Sequence, residues 1–508
     1  MSATDPPFDL LVVGAGINGA GIARDAAGRG LKVLLVEQGD IAAATSQWST
    51  KLIHGGLRYL EHFEFRLVRE SLAEREVVLH QAPHLVAPLS FVLPHEPHLR
   101  PAWMIRAGLF LYDHLGRRER LHASFGVDFA KSKWGAGLKP RFRRGFVYAD
   151  ARVDDARLVM ANVLDAHARG TDVRVRTRLV RAERVGAGER RCWRATLRDP
   201  RGGESQVDAR VLVNVAGPWV KVVRDLVNGV PSVENVRHVK GSHIVVPRVH
   251  TEEHAYLLQN VDQRVVFVIP YEEKYSLIGT TDVPVDDFAA PAIDDAEIDY
   301  LLALADSYLV RKLGREDIVW TFSGVRPLYD DGTSDPSAIT RDYVLKLDAS
   351  EGAAPVLSVY GGKITTYRKL AEHALREIAQ FLPAHKAPWT ERATLPGGDL
   401  PKGGLGAWQD ELAGRYPKLA GSLVHAIARR HGTRALAILG AAKEPADLGE
   451  DFGNDLTAAE IGYFVREEWA RDADDILWRR TKCGLGLDVD ARARVADCVA
   501  AAVAGTKR

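Results

Sequence analysis

A chain of 508 residues exceeds the size at which one hydrophobic core keeps growing, so about two to four domains or subdomains are expected. Its 46% hydrophobic and 27% charged residues are those of an ordinary globular protein, and a net charge of +1 excludes a global pull toward nucleic acid or anionic lipid. Cys192, Cys483 and Cys498 form no CxxC pair, which excludes a disulfide or metal-thiolate framework and suits a reduced cytoplasm.

The first residues, MSATDPP, lack the order of a signal peptide, and no apolar run reaches about 18 residues, so the chain is expected to be neither secreted nor membrane-spanning. Peripheral attachment to a membrane stays open. Residues 8–37 read strand, glycine turn, helix, strand: an apolar run ends in Gly14-Ala15-Gly16-Ile17-Asn18-Gly19, then Ile22, Ala23, Ala26 and Ala27 share a helical face. A second apolar run stops at Glu37, eighteen residues beyond Gly19. Gly14 allows the tight turn, Gly16 lets a pyrophosphate approach the backbone, and Gly19 lets helix and strand pack closely. A dinucleotide is expected there, its phosphates on the helix N-terminus and a ribose hydroxyl on Glu37. No Arg follows Glu37 to take a 2′-phosphate, which disfavours NADP.

Next comes a polar stretch with Thr45, Ser46, Ser49 and Lys51, leading to His54, Gly55 and Gly56. Small hydroxyl residues before paired glycines suit donors wrapped around an extended polar ligand; taken alone, the stretch reads as a solvated loop capping the next helix. Residues 64–79 have helical spacing. Residues 100–118 are aromatic and apolar with basic ends; a buried or subdomain-packing helix is preferred there over a membrane contact, since Arg106 interrupts a run too short to span. A helix opens at 153–158, a strand follows at 172–177, and residues 181–208 suggest a meander ending in an apolar strand and Ala216-Gly217. From 236 to 287 short β-branched runs predict a second sheet, covered by a helix at 294–313 and continued at 320–326 and 343–347. Residues 356–360 then run into Gly361-Gly362-Lys363-Ile364-Thr365-Thr366, a second glycine turn opening a helix. A linker spans 388–401, and 408–508 is helical by pattern, with a capping box at Thr457-Ala458-Ala459-Glu460.

With the glycine turn, the SxxSTKLIHGGLRYLE stretch resembles the second cofactor-contacting region of flavoproteins of the D-amino-acid-oxidase-like superfamily. Within it, KLIHGGLRYLEHFEFRLVRESLAERE is similar to the FAD-dependent glycerol-3-phosphate dehydrogenases, above all the bacterial aerobic kind. LVNVAGPWV, KGSHIVVPR, IGTTDV, WTFSGVRPLYDD, ITRDY, GGKITTYRKLAEHAL and WRRTKCG follow in that family's order, so the resemblance covers nearly the whole chain. It implies an α/β fold: a discontinuous Rossmann-like FAD-binding domain (about 8–80, 150–225 and 348–388), an antiparallel-sheet substrate domain (about 81–149 and 226–347) and a C-terminal all-α cap domain at 389–508.

The resemblance implies FAD and oxidation of sn-glycerol 3-phosphate to dihydroxyacetone phosphate, with electrons passed to a membrane quinone; the FAD is expected to be non-covalently bound, with His54 near enough in the chain to keep a covalent link open. A peripheral protein on the cytoplasmic face of the cell membrane is expected, with a homodimer, no metal and no nucleic acid. Cofactor contacts are expected from Gly14, Gly16, Gly19, Glu37, Thr45, Ser46, Ser49, Lys51, His54, Gly55, Ala216, Gly217, Gly362, Lys363 and Thr365. A dianionic phosphate wants guanidinium forks, which Arg326 and Arg341 offer. Tyr59 is placed to orient substrate, while Arg58 serves the same anion or simply packs. His243 is the leading general base, against a buried structural histidine. Lys363 would stabilise reduced flavin or contact substrate oxygens. The alternatives are an oxidase passing electrons to oxygen, an amine or amino-acid oxidase of the same superfamily, and a nucleotide-binding module without redox activity.

Overall fold

The computed structural model describes residues 7–96, 99–186, 191–229, 235–262, 264–330, 342–350 and 352–505. One layer is a mostly parallel sheet running Val344–Asp348, Val356–Tyr360, Glu204–Asn214, Phe8–Val13, Val33–Val36 and Asp172–Arg174. Leu10 of the central strand stands between Val211 and Val33. From Leu10 on that strand is buried on both faces, so it reads as an unbroken apolar run instead of alternating. Leu10, Val12, Val33 and Leu35 meet the helices Ile17–Gly28, Asp155–Ala168 and Tyr367–Ile378. Leu11, Val13, Leu34 and Val36 meet the meander Arg178–Val185 and Cys192–Arg198, whose Trp193 is fully buried.

The second layer is a ten-stranded sheet built around Asn235–Pro247, which pairs with Tyr275–Gly279, Val283–Pro284 and Trp320–Asp330. It continues through Val265–Tyr271, Ala255–Gln259, Val86–Pro94, Arg144–Val153 and Leu52–Ile53, with Phe125–Asp128 at one side. Its pairings are antiparallel except that of Ala255–Gln259 with Val86–Pro94. The expected covering helix is Asp295–Tyr308, started by Asp294 and Glu297 as a capping box. The C-terminal helices Gly404–Arg415, Gly421–His431, Ala435–Leu439, Ala458–Glu467 and Val489–Gly505 enclose a core of their own around Leu412, Ile427, Phe464 and Val495.

Four expectations need correcting. Residues 343–347 do not continue the second sheet: Val344–Asp348 pairs antiparallel with Val356–Tyr360 at the edge of the first, where Leu345 and Leu347 pack on its core. Leu52–Ile53, inside the stretch assigned to the cofactor domain, pairs with Arg144–Val153 of the second sheet. Of the two readings of residues 100–118, the subdomain-packing one holds and the buried one does not: Leu109 and Tyr112 of the helix Ala102–Leu115 are buried, with Ile105 and Leu115 packed beside them, while its other face is exposed. Thr457 does precede a helix, but its hydroxyl makes no capping bond; Glu460 is drawn instead to Arg430 and His431, a charged pairing that outweighs a backbone cap.

Candidate active site

The first glycine turn follows from backbone geometry. Gly14 sits at φ +111°, and a Cβ there would lie 2.6 Å from the Val215 carbonyl oxygen. A Cβ on Gly19 would stand 1.9 Å from Gly14 O, so the helix meets the turn at a distance open only to glycine. At Gly16 the nearest atom is Ser46 Oγ at 3.1 Å, leaving a cradle that any side chain would fill. The helix it opens carries no acidic residue in its first turn, and Ile17 N–H donates to Ser46 Oγ at 3.0 Å. The Ser46 hydroxyl proton is left as a donor beside an electropositive helix end.

A cleft of about 650 Å³ lies against this turn, lined by Gly14, Gly16, Glu37, Gly39, Thr45, Ser46, Thr177, Ala216 and Gly217 among others. Glu37 accepts from Ala15 N–H and Gly39 N–H, each at 2.8 Å, and burial pushes its carboxyl up from the ordinary range against those two bonds. Its carboxylate is thus fixed at the cleft wall, where the fold places a ribose.

The second sheet turns one face to the same loop. Gly241, His243, Phe322, Gly324 and Arg326 share that face by strand alternation. A Cβ on Gly324 would stand 2.7 Å from Trp48 Cβ, and Trp48 stacks on Phe322 at 5.4 Å. Thr45 Oγ1 donates to Val325 O at 2.6 Å, and Thr50 Oγ1 lies 3.1 Å from His243 Nε2. His243 stacks on Phe322 at 4.7 Å; burial, with the Lys51 and Arg326 cations adding, holds its imidazole neutral and well below its ordinary pKa. Arg326 reaches Asp282, with Thr280 Oγ1 at 3.4 Å.

The second glycine turn closes the arrangement. Gly362 has φ +97°, and Asn18 Nδ2 donates to Gly361 O at 3.1 Å, tying the two glycine turns together. His54 N–H donates to Thr365 Oγ1 at 3.2 Å, and burial lowers the His54 pKa against the pull of Asp150. Lys363 Nζ stands 3.8 Å from the centre of the Tyr59 ring. Arg58 lies half-buried in the same short helical turn, Leu57–His62.

Most of the expected residues therefore converge on one seam between the two sheets, but two side chains make their hydrogen bonds behind it, even though Lys51 Nζ still lies 4.7 Å over the Phe322 ring. Ser49 Oγ and Lys51 Nζ both donate to the buried Asp155, at 2.6 and 2.7 Å, because a carboxylate without water demands charged or hydrogen-bonded partners. Arg341 lies outside the described residues. Residues that sequence reasoning passed over hold the site from behind. Asp150 takes Arg75 at 2.6 Å and Tyr112 OH at 2.8 Å, with Gly55 N–H at 3.3 Å, and so fixes the glycine pair after His54. A lone acid inside the apolar run GFVYADARV was the signal for it. Asp282 and Thr280, in the GTTD turn, hold Arg326.

A cradle for a pyrophosphate, a ribose-facing acid and a second glycine turn fit a flavin dinucleotide, and the family comparison decides the matter: FAD dependent oxidoreductase matches residues 9–368. The chain belongs to that family. Its cofactor is FAD. Residues 388–507 of this flavoprotein match the C-terminal domain of alpha-glycerophosphate oxidase, which begins where the linker leaves the first sheet. It is 52% identical over 489 residues to the aerobic glycerol-3-phosphate dehydrogenase of Escherichia coli (strain K12), covering 96% of each chain. It is also 48% identical over 487 residues to the D-erythritol 1-phosphate dehydrogenase of Brucella abortus (strain 2308), again 96% of each. The solved glycerol-3-phosphate dehydrogenase of Bacillus halodurans, complexed with FAD, has the same fold: TM-score 0.74, 24% identity, covering 98% of this chain and 95% of that one. Among the described residues no group of His, Cys, Asp or Glu is arranged to hold a metal.

Proposed function

We propose that this flavoprotein oxidises sn-glycerol 3-phosphate to dihydroxyacetone phosphate and passes the electrons to a quinone held in the membrane. The observation that carries the reading is the seam itself, where Arg326, Lys363, Tyr59 and His243 gather between two glycine turns, in a chain 52% identical to a dehydrogenase of that name. Bound FAD supplies the two-electron acceptor. Arg326, half-exposed and held by Asp282, exchanges part of that pairing for the substrate phosphate. Lys363 and Tyr59 border the carbon chain, and Lys363 adds a second cation. His243, neutral and with Nδ1 making no hydrogen bond, takes the C2 hydroxyl proton. Burial keeps that proton acceptor unprotonated well below neutral pH.

Anaerobic bleaching of bound flavin tests the substrate: glycerol 3-phosphate should bleach it within a turnover, and glycerol and lactate should not. D-erythritol 1-phosphate belongs in the same series, given the relative of that name. If it bleaches the flavin faster, the substrate assignment moves to the longer polyol phosphate. The C-terminal match to an oxidase domain makes oxygen the rival acceptor. Peroxide formed in equal amount to substrate consumed, with no reduction of a quinone analogue, would establish the oxidase.

Among the described residues no helix is long and apolar enough to cross a membrane. What supports peripheral attachment at the cytoplasmic face is one aromatic patch. Trp103 is 70% exposed and Phe110 57% on the helix Ala102–Leu115, and Phe63, 77% exposed, follows the turn that helix packs against. Arg100, Arg117 and Arg118 flank it. Trp103→Glu with Phe110→Glu should abolish cosedimentation with lipid vesicles and leave dye-linked turnover intact; unchanged cosedimentation would rule this face out.

A further inference from the structure

The C-terminal domain grips the wall of the nucleotide cleft. Glu37, Gln38 and Gly39 line that cleft, and the next residue, Asp40, is buried. Its carboxylate is taken from across the domain boundary: Arg479 Nε donates to Oδ2 at 2.6 Å and Arg480 donates to Oδ1 at 2.8 Å. A second grip comes from the same turn. Asp475 pairs with Arg176 at 3.0 Å, and Arg176 N–H donates to Gly39 O at 2.9 Å. The following residue, Thr177, lines the cleft and donates its N–H to Glu37 O at 2.7 Å. The donor turn, Asp475–Arg480, is wound as a π-helix, a rare form that recurs at functional sites.

A buried guanidinium, Arg480, and a partly buried one, Arg479, on one buried carboxylate are costly to assemble, and removing one leaves a charge in an apolar surrounding with less compensation. Asp40 also repels the Glu37 carboxylate, so its neutralisation by arginine bears on the acid that faces the cofactor ribose. Ile476 and Leu477 of the same turn anchor it in the C-terminal core, and Arg480 also donates to the Glu468 carbonyl of that domain, so the turn carries the hold on Asp40 from a fixed base.

We propose that the C-terminal domain is a buttress of the flavin site, in which Arg479 and Arg480, clamped on Asp40, hold the wall at residues 37–39 against the adenosine half of FAD and set how long the cofactor stays bound. Arg480 is a positioning residue that acts through Asp40. The inference rests on FAD occupying the cleft and is independent of which substrate or acceptor the flavoprotein uses.

The test is the rate of FAD release from full-length holoenzyme, read by the rise in free-flavin fluorescence after dilution, beside KM for glycerol 3-phosphate. Arg480→Gln and Asp40→Asn should each release FAD roughly tenfold faster or more, and the double variant no faster than the quicker single one. Arg480→Lys, which keeps charge and loses the fork, should lie between and serves if the glutamine variant does not fold. The control is Arg429→Gln, which breaks the 2.8 Å pair of the same domain with Glu272, in the turn after the strand Val265–Tyr271, and should leave FAD release and KM unchanged. Wild-type release from Arg480→Lys and Asp40→Asn would overturn the proposal. So would equal acceleration by Arg429→Gln, which would mark general loosening of the domain.

Discussion

The nucleotide end and the substrate end of this flavoprotein are built by different means. At the nucleotide end the backbone does the recognition: Gly14, Gly16 and Gly19 open space, and Glu37 is locked by two main-chain N–H groups. At the proposed substrate end side chains would do it, two cationic and one a neutral imidazole, and each already has company in the protein: Arg326 with Asp282, His243 with Thr50, Lys363 over Tyr59. A backbone site is all or nothing, because its geometry cannot be approximated by a side chain. A side-chain site is graded, since each contact exchanges one partner for another and only the difference appears as binding.

The sharpest way to break that contrast is at Gly19. Gly19→Ala sets a methyl 1.9 Å from a backbone oxygen that has nowhere to go, so the turn must distort by upwards of about 4 kcal/mol and the protein should emerge without flavin. Flavin absorbance per chain after purification is the measurement; full occupancy would show that the turn yields after all. A graded effect is expected next, at Arg326. Arg326→Gln should retain FAD and lower kcat/KM for glycerol 3-phosphate by about 2–4 kcal/mol, while the already poor oxidation of glycerol changes far less. Equal loss on both substrates would make Arg326 a support for the flavin and not a phosphate ligand.

This contrast also explains what could be read from the amino-acid order. Glycine turns announce themselves because a φ near +100° or a 2 Å approach selects glycine, so the GAGING and GGKITT stretches pointed to the cofactor site. Lys51 and Ser49 looked equally suited to a cofactor, yet their partner is Asp155, distant by more than a hundred positions, and nothing local in the chain marks that pairing. The exposure of Trp103 and Phe110 was hidden for a related reason: periodicity tells which residues share a face, not whether another element covers it. The clamp of Arg479 and Arg480 on Asp40 links residues at opposite ends of the chain, and only the folded form brings them together.

A third, smaller effect separates the two ends by pH. The second sheet carries His243, and the loop between its strands Asn235–Pro247 and Ala255–Gln259 carries His250 and His254, all held below their ordinary pKa first by burial; His250 falls to about 4 and His254 to about 3, with Arg248 lowering both. Each stays neutral in the fold while the unfolded chain takes up a proton near pH 6.5, so the unfolded state binds more protons in between. Stability contributed by these groups is therefore complete above pH 6.5 and is lost as pH falls toward 4. His254→Phe, which keeps a ring against His250 and Tyr256, should flatten the slope of chemical-denaturation stability between pH 6.5 and 4.5 by up to about 1 kcal/mol per pH unit. An unchanged slope would mean that this imidazole is protonated within the fold.

The smallest expected effect sharpens the comparison most finely, because it asks what a tyrosine does in a site of charged groups. Lys363 Nζ lies 3.8 Å from the centre of the Tyr59 ring, so the cation meets a π-face there. Such a face lends about 0.5–2 kcal/mol and, unlike an acid, does not cancel the positive charge that a phosphate or an electron-rich flavin needs. If the ring is the working part, Tyr59→Phe should keep nearly full kcat/KM, and Tyr59→Leu should lose roughly 1 kcal/mol, about a fivefold drop, through misplacement of Lys363. If the hydroxyl orients the substrate, the phenylalanine variant should fall as far as the leucine one. Lys363→Met made in both backgrounds decides between them: with the ring in the working role, removing the cation should erase the difference between phenylalanine and leucine at position 59, because there is no longer a charge for the ring to hold.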